Sequence, residues 1–163
     1  LTAASALAND GVMVRPHVMR MVRDREGRLL RAASPEAGRR VVSSATAAAL
    51  MRMMVRTVED GTGREAALPG YVVAGKTGTA QKPGPGGGYL LGRYIASFVG
   101  FVPVPHPRLA ILIVLDEPRG AYYGGTVAAP VFREIAGRAL WYLRVPPAAP
   151  DLYSPGVGAP QPP

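Results

Sequence analysis

Ala74-Gly75-Lys76-Thr77-Gly78-Thr79-Ala80-Gln81 sets a cation, two hydroxyls and a glycine in line behind the apolar run Tyr71-Val72-Val73-Ala74. The β-favouring residues of that run predict a strand rather than a helix. With the two-residue period of a strand, Lys76 and Gly78 share one face and Thr77 and Thr79 the other. Gly78 leaves room for a second backbone or a ligand to come close. Lysine is a compact charge with three donors, and threonine hydroxyls adapt to an anion. The stretch reads as a strand edge suited to a peptide that ends in a carboxylate.

Outward from it, three strands are expected: Tyr71 to Gln81, Tyr94 to Val102, and Leu109 to Asp116. The connections Lys82 to Gly88 and Pro103 to Pro107 are rich in Gly and Pro and read as loops. No long helical segment separates the strands, which favours antiparallel neighbours. Upstream, Leu1 to Asp10 reads as helix with Gly11 as its stop. His17 to Asp24 and Leu29 to Ala33 read as a small hairpin around Arg25-Glu26-Gly27-Arg28. Ser43 or Ser44 can cap a second helix whose buried face is Ala47, Leu50, Met51, Met54, Val55 and Val58. That helix ends at Glu59-Asp60-Gly61-Thr62-Gly63. A last helix is expected over about Val127 to Leu143, capped by Thr126, with Pro130 tolerated in its first turn. The predicted class is α+β: an antiparallel sheet of three core strands plus a small hairpin, with flanking helices.

The 163 residues suffice for one domain with a real core. Apolar residues make up 48% and charged residues 18%, a globular balance. The net charge is +8, with arginine supplying 17 of the 19 basic residues. The arginines are scattered and form no basic stripe interleaved with aromatics, which argues against nucleic acid. With no cysteine and only the isolated His17 and His106, neither a disulfide framework nor a metal centre is expected, and no cofactor is implied. No signal peptide or membrane-spanning run is present. From Pro146 onward the chain is mostly Pro, Ala and Gly, read as a disordered tail over 146–163.

Three readings of the lysine strand compete. Gly70 to Thr77 satisfies the phosphate-loop pattern G-x-x-x-x-G-K-[ST]. That loop needs a helix starting at its lysine, and Gly78, Pro83, Gly84 and Pro85 oppose one. A second reading is an exposed Lys-Thr pair that guards an edge strand against aggregation. The third is a family likeness. Lys76-Thr77-Gly78-Thr79 resembles the third active-site motif of penicillin-binding proteins and serine β-lactamases. Ala74 to Lys82 resembles its form in the class B transpeptidases, the division type first and the elongation type close behind. Ala96 to Pro103, Leu112 to Pro118, Tyr123-Gly124-Gly125 with Ala128 to Phe132, and Leu1 to Val14 resemble further segments of that family in order.

The resemblance implies an acyl transferase whose serine attacks the D-Ala-D-Ala end of a peptidoglycan stem peptide and which β-lactams acylate. Lys76 would supply positive potential for the terminal carboxylate and the proton network. Thr77 and Thr79 hydroxyls would bind the carboxylate, and the Thr79 backbone N–H would be one oxyanion donor. Gly78 would admit the peptide as an added strand, and Gln81 would line the cleft beyond it. Tyr123, Gly124 and Gly125 would form a neighbouring wall, or a plain tight turn. The family's serine and base come from Ser-x-x-Lys, assisted by Ser-x-Asn, and this sequence contains neither motif. In the family both lie upstream, so residues 1–145 are expected to be the C-terminal portion of a transpeptidase domain, inactive alone. The implied parent is extracytoplasmic, anchored to the inner membrane by an N-terminal helix, and partnered by divisome or elongasome membrane proteins. The alternatives are a non-catalytic module that binds peptides or partners, and a nucleotide-binding domain.

Overall fold

The computed structural model describes residues 1–33 and 38–147. The chain runs through helix α1 (Thr2–Ala8), strands β1 (Val12–Met13), β2 (Met21–Arg23), β3 (Leu29–Ala32) and β4 (Arg39–Arg40), then helix α2 (Ser44–Glu59). A 3-10 turn at Arg64–Ala66 leads to β5 (Ala74–Pro83), β6 (Tyr89–Val102) and β7 (Leu109–Asp116), and helices α3 (Gly124–Val127) and α4 (Ala129–Tyr142) close the fold. The α+β reading holds. The main sheet is antiparallel in the order β5-β6-β7, and β2 with β3 forms the small hairpin. β1 and β4 add a two-residue ribbon that no periodicity announces.

The register explains the core. Gly75 faces Gly100, Thr77 faces Phe98, and Phe98 faces Ile113. By strand alternation Phe98 and Val102 therefore share a face with Ile111 and Ile113. α4 lays Phe132, Ala136 and Leu140 onto that face, all fully buried. The Phe98 and Phe132 rings meet at 4.9 Å in a tilted pair, a favoured aromatic geometry. Phe101 points to the opposite face and is buried as well, where α1 contacts β6 and α2 contacts β5. Farther along that face Leu112 and Val114 of β7 are exposed, and β5 and β7 are the two edges of the sheet.

Several boundaries differ from the sequence reading, each for a local reason. β5 begins at Ala74 and not at Tyr71, because Pro69-Gly70 makes a turn first. The Tyr71 N–H donates back to the Leu68 carbonyl at 3.1 Å, and Gly70 has φ +79°, the signature of Pro-Gly in a type II turn. The Tyr71 hydroxyl then donates to the Val145 carbonyl at 2.7 Å, which ties the turn to the end of α4. β6 starts at Tyr89, earlier than Tyr94, and β5 runs on to Pro83, so the expected Lys82 to Gly88 loop narrows to the hairpin tip. β2 keeps only Met21–Arg23 of the expected His17 to Asp24, because it pairs only where β3 lies opposite.

Ser43 caps α2 by accepting the Thr46 N–H at 3.1 Å, while Ser44 donates to the Asp10 carboxylate. Of the face expected to be buried on α2, Ala47 and Val58 are covered, Met51, Met54 and Val55 are half-buried, and Leu50 is exposed. The expected last helix is two. The Thr126 side chain caps neither, and the residue preceding α4 is Ala128, with no side-chain acceptor. Pro130 sits in the first turn of α4 as expected. The tail expected from Pro146 lies, from residue 148 onward, outside the described residues.

Candidate functional site

Lys76 lies within β5 and is exposed. Its Nζ donates to the Thr77 carbonyl at 2.7 Å. Among the described residues no carboxylate lies within ion-pair reach of it. The other lysine, Lys82, is held by Asp116 and Glu117, each at 2.9 Å. One lysine is thus neutralised and the other is not. Because β5 continues through Lys76 as a strand, no helix dipole faces that ammonium, and the phosphate-loop reading fails.

The threonines lie on the face opposite Lys76, as the two-residue period requires. Thr77 and Thr62 hydroxyls share one hydrogen bond of 2.8 Å. Only one of the two protons is used in it, so one O–H remains to donate outward. Thr79 Oγ1 accepts the Gly124 N–H at 3.1 Å, so its own proton is free as well. Gly124 opens α3 and is pressed onto the sheet: a Cβ there would lie 2.3 Å from the Ser97 carbonyl oxygen and 2.4 Å from that of Gly78. Gly125 backs onto Thr62 and Thr77 in the same way. The structure therefore gathers Thr77, Gly78, Thr79, Gly124 and Gly125 at one stretch of the β5 edge.

Beyond Thr79 a shallow pocket of about 660 Å³ is lined by Thr79, Ala80, Gln81, Tyr89, Tyr94, Tyr122 and Tyr123. Tyr94 and Tyr122 stack at 4.2 Å, with their planes 10° apart, and Tyr123 packs on Tyr122 at 4.6 Å. The hydrogen bond to Tyr123 and the proximity of the neighbouring phenols push the Tyr122 phenol above its ordinary range. Gln81 and Tyr123, both anticipated, are brought together here. Thr62, Tyr89, Tyr94 and Tyr122 were not anticipated. The Gln81–Tyr94 pairing is the signal for Tyr94, but it exists only once the hairpin register is set.

Behind the pocket, Lys82, Arg93, Asp116 and Glu117 form an ion-pair group. The bonds from Lys82 first, then Arg93, hold the Glu117 carboxyl below its usual range, and Asp116 and Glu117 raise Lys82. Asp10, bonded by Ser44 and Arg40, and Asp24, bonded by Arg28, are lowered too. A carboxylate depressed by folding stabilises fully above its unfolded pKa and loses that contribution as pH falls through the folded value. The melting temperature is therefore expected to hold steady from neutrality down to about pH 4.5, the ordinary glutamate value, and to drop below it. A melting series from pH 7 to 2.5 checks this. A Glu117→Gln variant should show a shallower drop than the parent chain.

A family profile described as "Penicillin binding protein transpeptidase domain" matches residues 1–137. The chain belongs to this family. It is 38% identical to the stage V sporulation protein D of Bacillus subtilis (strain 168), over 90% of this chain and 23% of that protein. It is 41% identical to the peptidoglycan D,D-transpeptidase FtsI of Escherichia coli (strain K12), over 71% of this chain and 20% of that protein. Among solved structures, penicillin-binding protein 3 of Mycobacterium tuberculosis superposes with a TM-score of 0.79 at 37% identity, over 91% of this chain and 35% of that one. The same protein has been solved with aztreonam and with ampicillin. The transpeptidase domain of Burkholderia pseudomallei penicillin-binding protein 3 gives a TM-score of 0.72 at 38% identity, over 91% of this chain and 43% of that one. The chain thus spans about a quarter of the length of the curated relatives it matches, and its architecture is part of a transpeptidase fold of the class B penicillin-binding proteins. Among the described residues no helix is long and apolar enough to cross a membrane.

Proposed function

We propose that this chain forms the substrate-binding wall of a serine D,D-transpeptidase that cross-links peptidoglycan stem peptides and is acylated by β-lactams. The observation that carries this is the β5 edge: one ammonium without an acidic partner, and two threonine O–H donors left free by the hydrogen bonds around them. An ammonium with two hydroxyl donors is the complement of a peptide's terminal carboxylate. An unpaired strand edge is the complement of an extended peptide, which would add to β5 as a further strand. In this reading the Thr77 and Thr79 hydroxyls hold the carboxylate, Lys76 supplies positive potential from the other face of the strand, Gly78 admits the peptide, and the Thr79 N–H faces the developing oxyanion. Gln81 and Tyr123 border the acyl side of the cleft, and the stacked tyrosines offer flat faces to an apolar or aromatic group there. Gly124 and Gly125 back the threonines.

Neither Ser-x-x-Lys nor Ser-x-Asn occurs in this sequence, so in this reading the covalent step falls to a longer protein of which residues 1–145 form one part of the transpeptidase domain. The uncovered Leu112 and Val114 and the free edge of β7 are where the rest of such a domain would pack. The full-length protein would act on the extracytoplasmic face of the membrane, within a division or elongation assembly. A fluorescent penicillin tests the reading. The isolated chain should stay unlabelled on a denaturing gel, and the full-length protein should carry a band that unlabelled ampicillin displaces. A full-length protein that takes no label would leave a peptide-binding module as the better description.

A further inference from the structure

We propose that Glu117 is a positioning residue: its single carboxylate clasps the two strand ends behind the tyrosine pocket and thereby sets the side-chain selectivity of acylation. This rests on the transpeptidase reading above and adds a residue to it.

Gln81 pairs with Tyr94, but the next pair is Pro83 with Tyr89, so the β5–β6 ladder is broken at Lys82. An irregularity of this kind leaves the intervening residues unpaired and locally disrupts the ladder. Glu117 spans the break. Its Oε1 accepts from Lys82 Nζ at 2.9 Å, and its Oε2 from Arg93 Nη1. Its backbone N–H donates to the Tyr94 carbonyl at 2.9 Å. Lys82 directly follows Gln81, and Arg93 directly precedes Tyr94. The segment after Glu117 then delivers Tyr122 onto Tyr94 at 4.2 Å. The ends of β5 and β6 and the segment that carries Tyr122 thus meet at Glu117, with Asp116 sharing Lys82 at 2.9 Å.

The backbone supports the assignment. Glu117 has φ +52°, the left-handed region that penalises any residue with a Cβ and that glycine occupies freely. A glutamate held there is a local rule broken at the border of a site, the setting in which strain accompanies function. Stability alone does not explain it. The Glu117 and Lys82 side chains are 31% and 25% exposed, and a partly screened ion pair contributes only modestly to folding.

The experiment uses the full-length protein carrying this chain, with Glu117→Gly, Glu117→Gln and Lys82→Met. Acylation rates are measured for a penicillin with a benzyl side chain and for the penicillin nucleus without an acyl side chain. The ratio of the two rates should fall roughly fivefold in all three variants as the tyrosine stack loosens. Melting temperatures at neutral pH should fall modestly in Glu117→Gln and Lys82→Met, which lose ion pairs, and should fall less in Glu117→Gly, where the backbone is relieved. An unchanged ratio in Glu117→Gly and Glu117→Gln overturns the proposal. So does an equal loss for both penicillins that tracks a fall in melting temperature, which marks a purely structural clasp. A wild-type protein acylated by neither penicillin overturns the transpeptidase reading instead, and the clasp's role with it.

Discussion

Replacing Lys76 with alanine in the full-length protein is expected to slow acylation by benzylpenicillin on the order of 10²–10³-fold, the usual loss when a preorganised electrostatic donor is removed. The melting temperature should stay close to wild type, because the side chain is exposed and its one bond is to the neighbouring Thr77 carbonyl. The argument rests on the contrast between the two lysines. Lys82 faces two carboxylates, so its field is cancelled within the protein. Lys76 faces none among the described residues, and its field reaches whatever anion approaches the β5 edge. Lys76→Arg keeps the charge but spreads it over a longer planar fork with different donor geometry, and is expected to recover only part of the rate. Stopped-flow acylation of wild type and both variants, with thermal melts alongside, checks this. If Lys76 merely protects an edge strand, Lys76→Ala would acylate normally and aggregate more readily.

Two of the core strands, β6 and β7, were legible because they carry long apolar runs, and Phe98, Phe101 and Val102 are indeed buried from both sides of the sheet. The Ser43 cap of α2 was legible because it is a local signal, whereas α1 ends at Ala8, short of the expected Asp10, with Asp10 as the first left-handed residue before Gly11. What stayed hidden depends on contacts distant in sequence. β1 and β4 are too short to show a period and exist only because α1 and α2 bring them together, with Asp10 bonded to Arg40 and Ser44 across the junction. Tyr71 and Val72 have strand chemistry, yet the Pro69-Gly70 turn and the bond to Val145 take them out of the ladder. In the site, Lys76 to Thr79 could be read directly, since alternation alone assigns their faces. Thr62 could not: it looks like part of a helix stop, and only the folded chain turns its hydroxyl onto Thr77. The tyrosine pocket was half visible for the same reason. Tyr123 stands beside Gly124-Gly125 in sequence, whereas Tyr94 and Tyr122 meet through the sheet.

Gly124→Ala is expected to cost about 3 kcal/mol of stability, toward the upper end of overpacking substitutions, and to reduce acylation as well. The methyl group would meet two backbone carbonyl oxygens, of Ser97 at 2.3 Å and Gly78 at 2.4 Å. Flexible side chains relieve such contacts by rotating away, but backbone oxygens in adjacent strands of one ladder move only with the strands. Gly78 and Ser97 are partners in the β5–β6 register, so retreat from the new methyl either opens that ladder or lifts α3 from the sheet. Lifting α3 breaks the bond from the Gly124 N–H to Thr79 Oγ1. It also shifts Tyr123, the residue preceding Gly124, away from the pocket it lines. Stability and activity are thus coupled at one atom, unlike at Lys76, where activity should change alone. Chemical denaturation and acylation kinetics on Gly124→Ala in the full-length protein test the coupling. A variant with wild-type stability would mean that α3 rests on β5 more loosely than the 2.3 Å approach implies. A destabilised variant that acylates at the wild-type rate would mean that Thr79 keeps its orientation without the Gly124 N–H, and the free Thr79 proton assigned to the ligand carboxylate would then need another source of alignment.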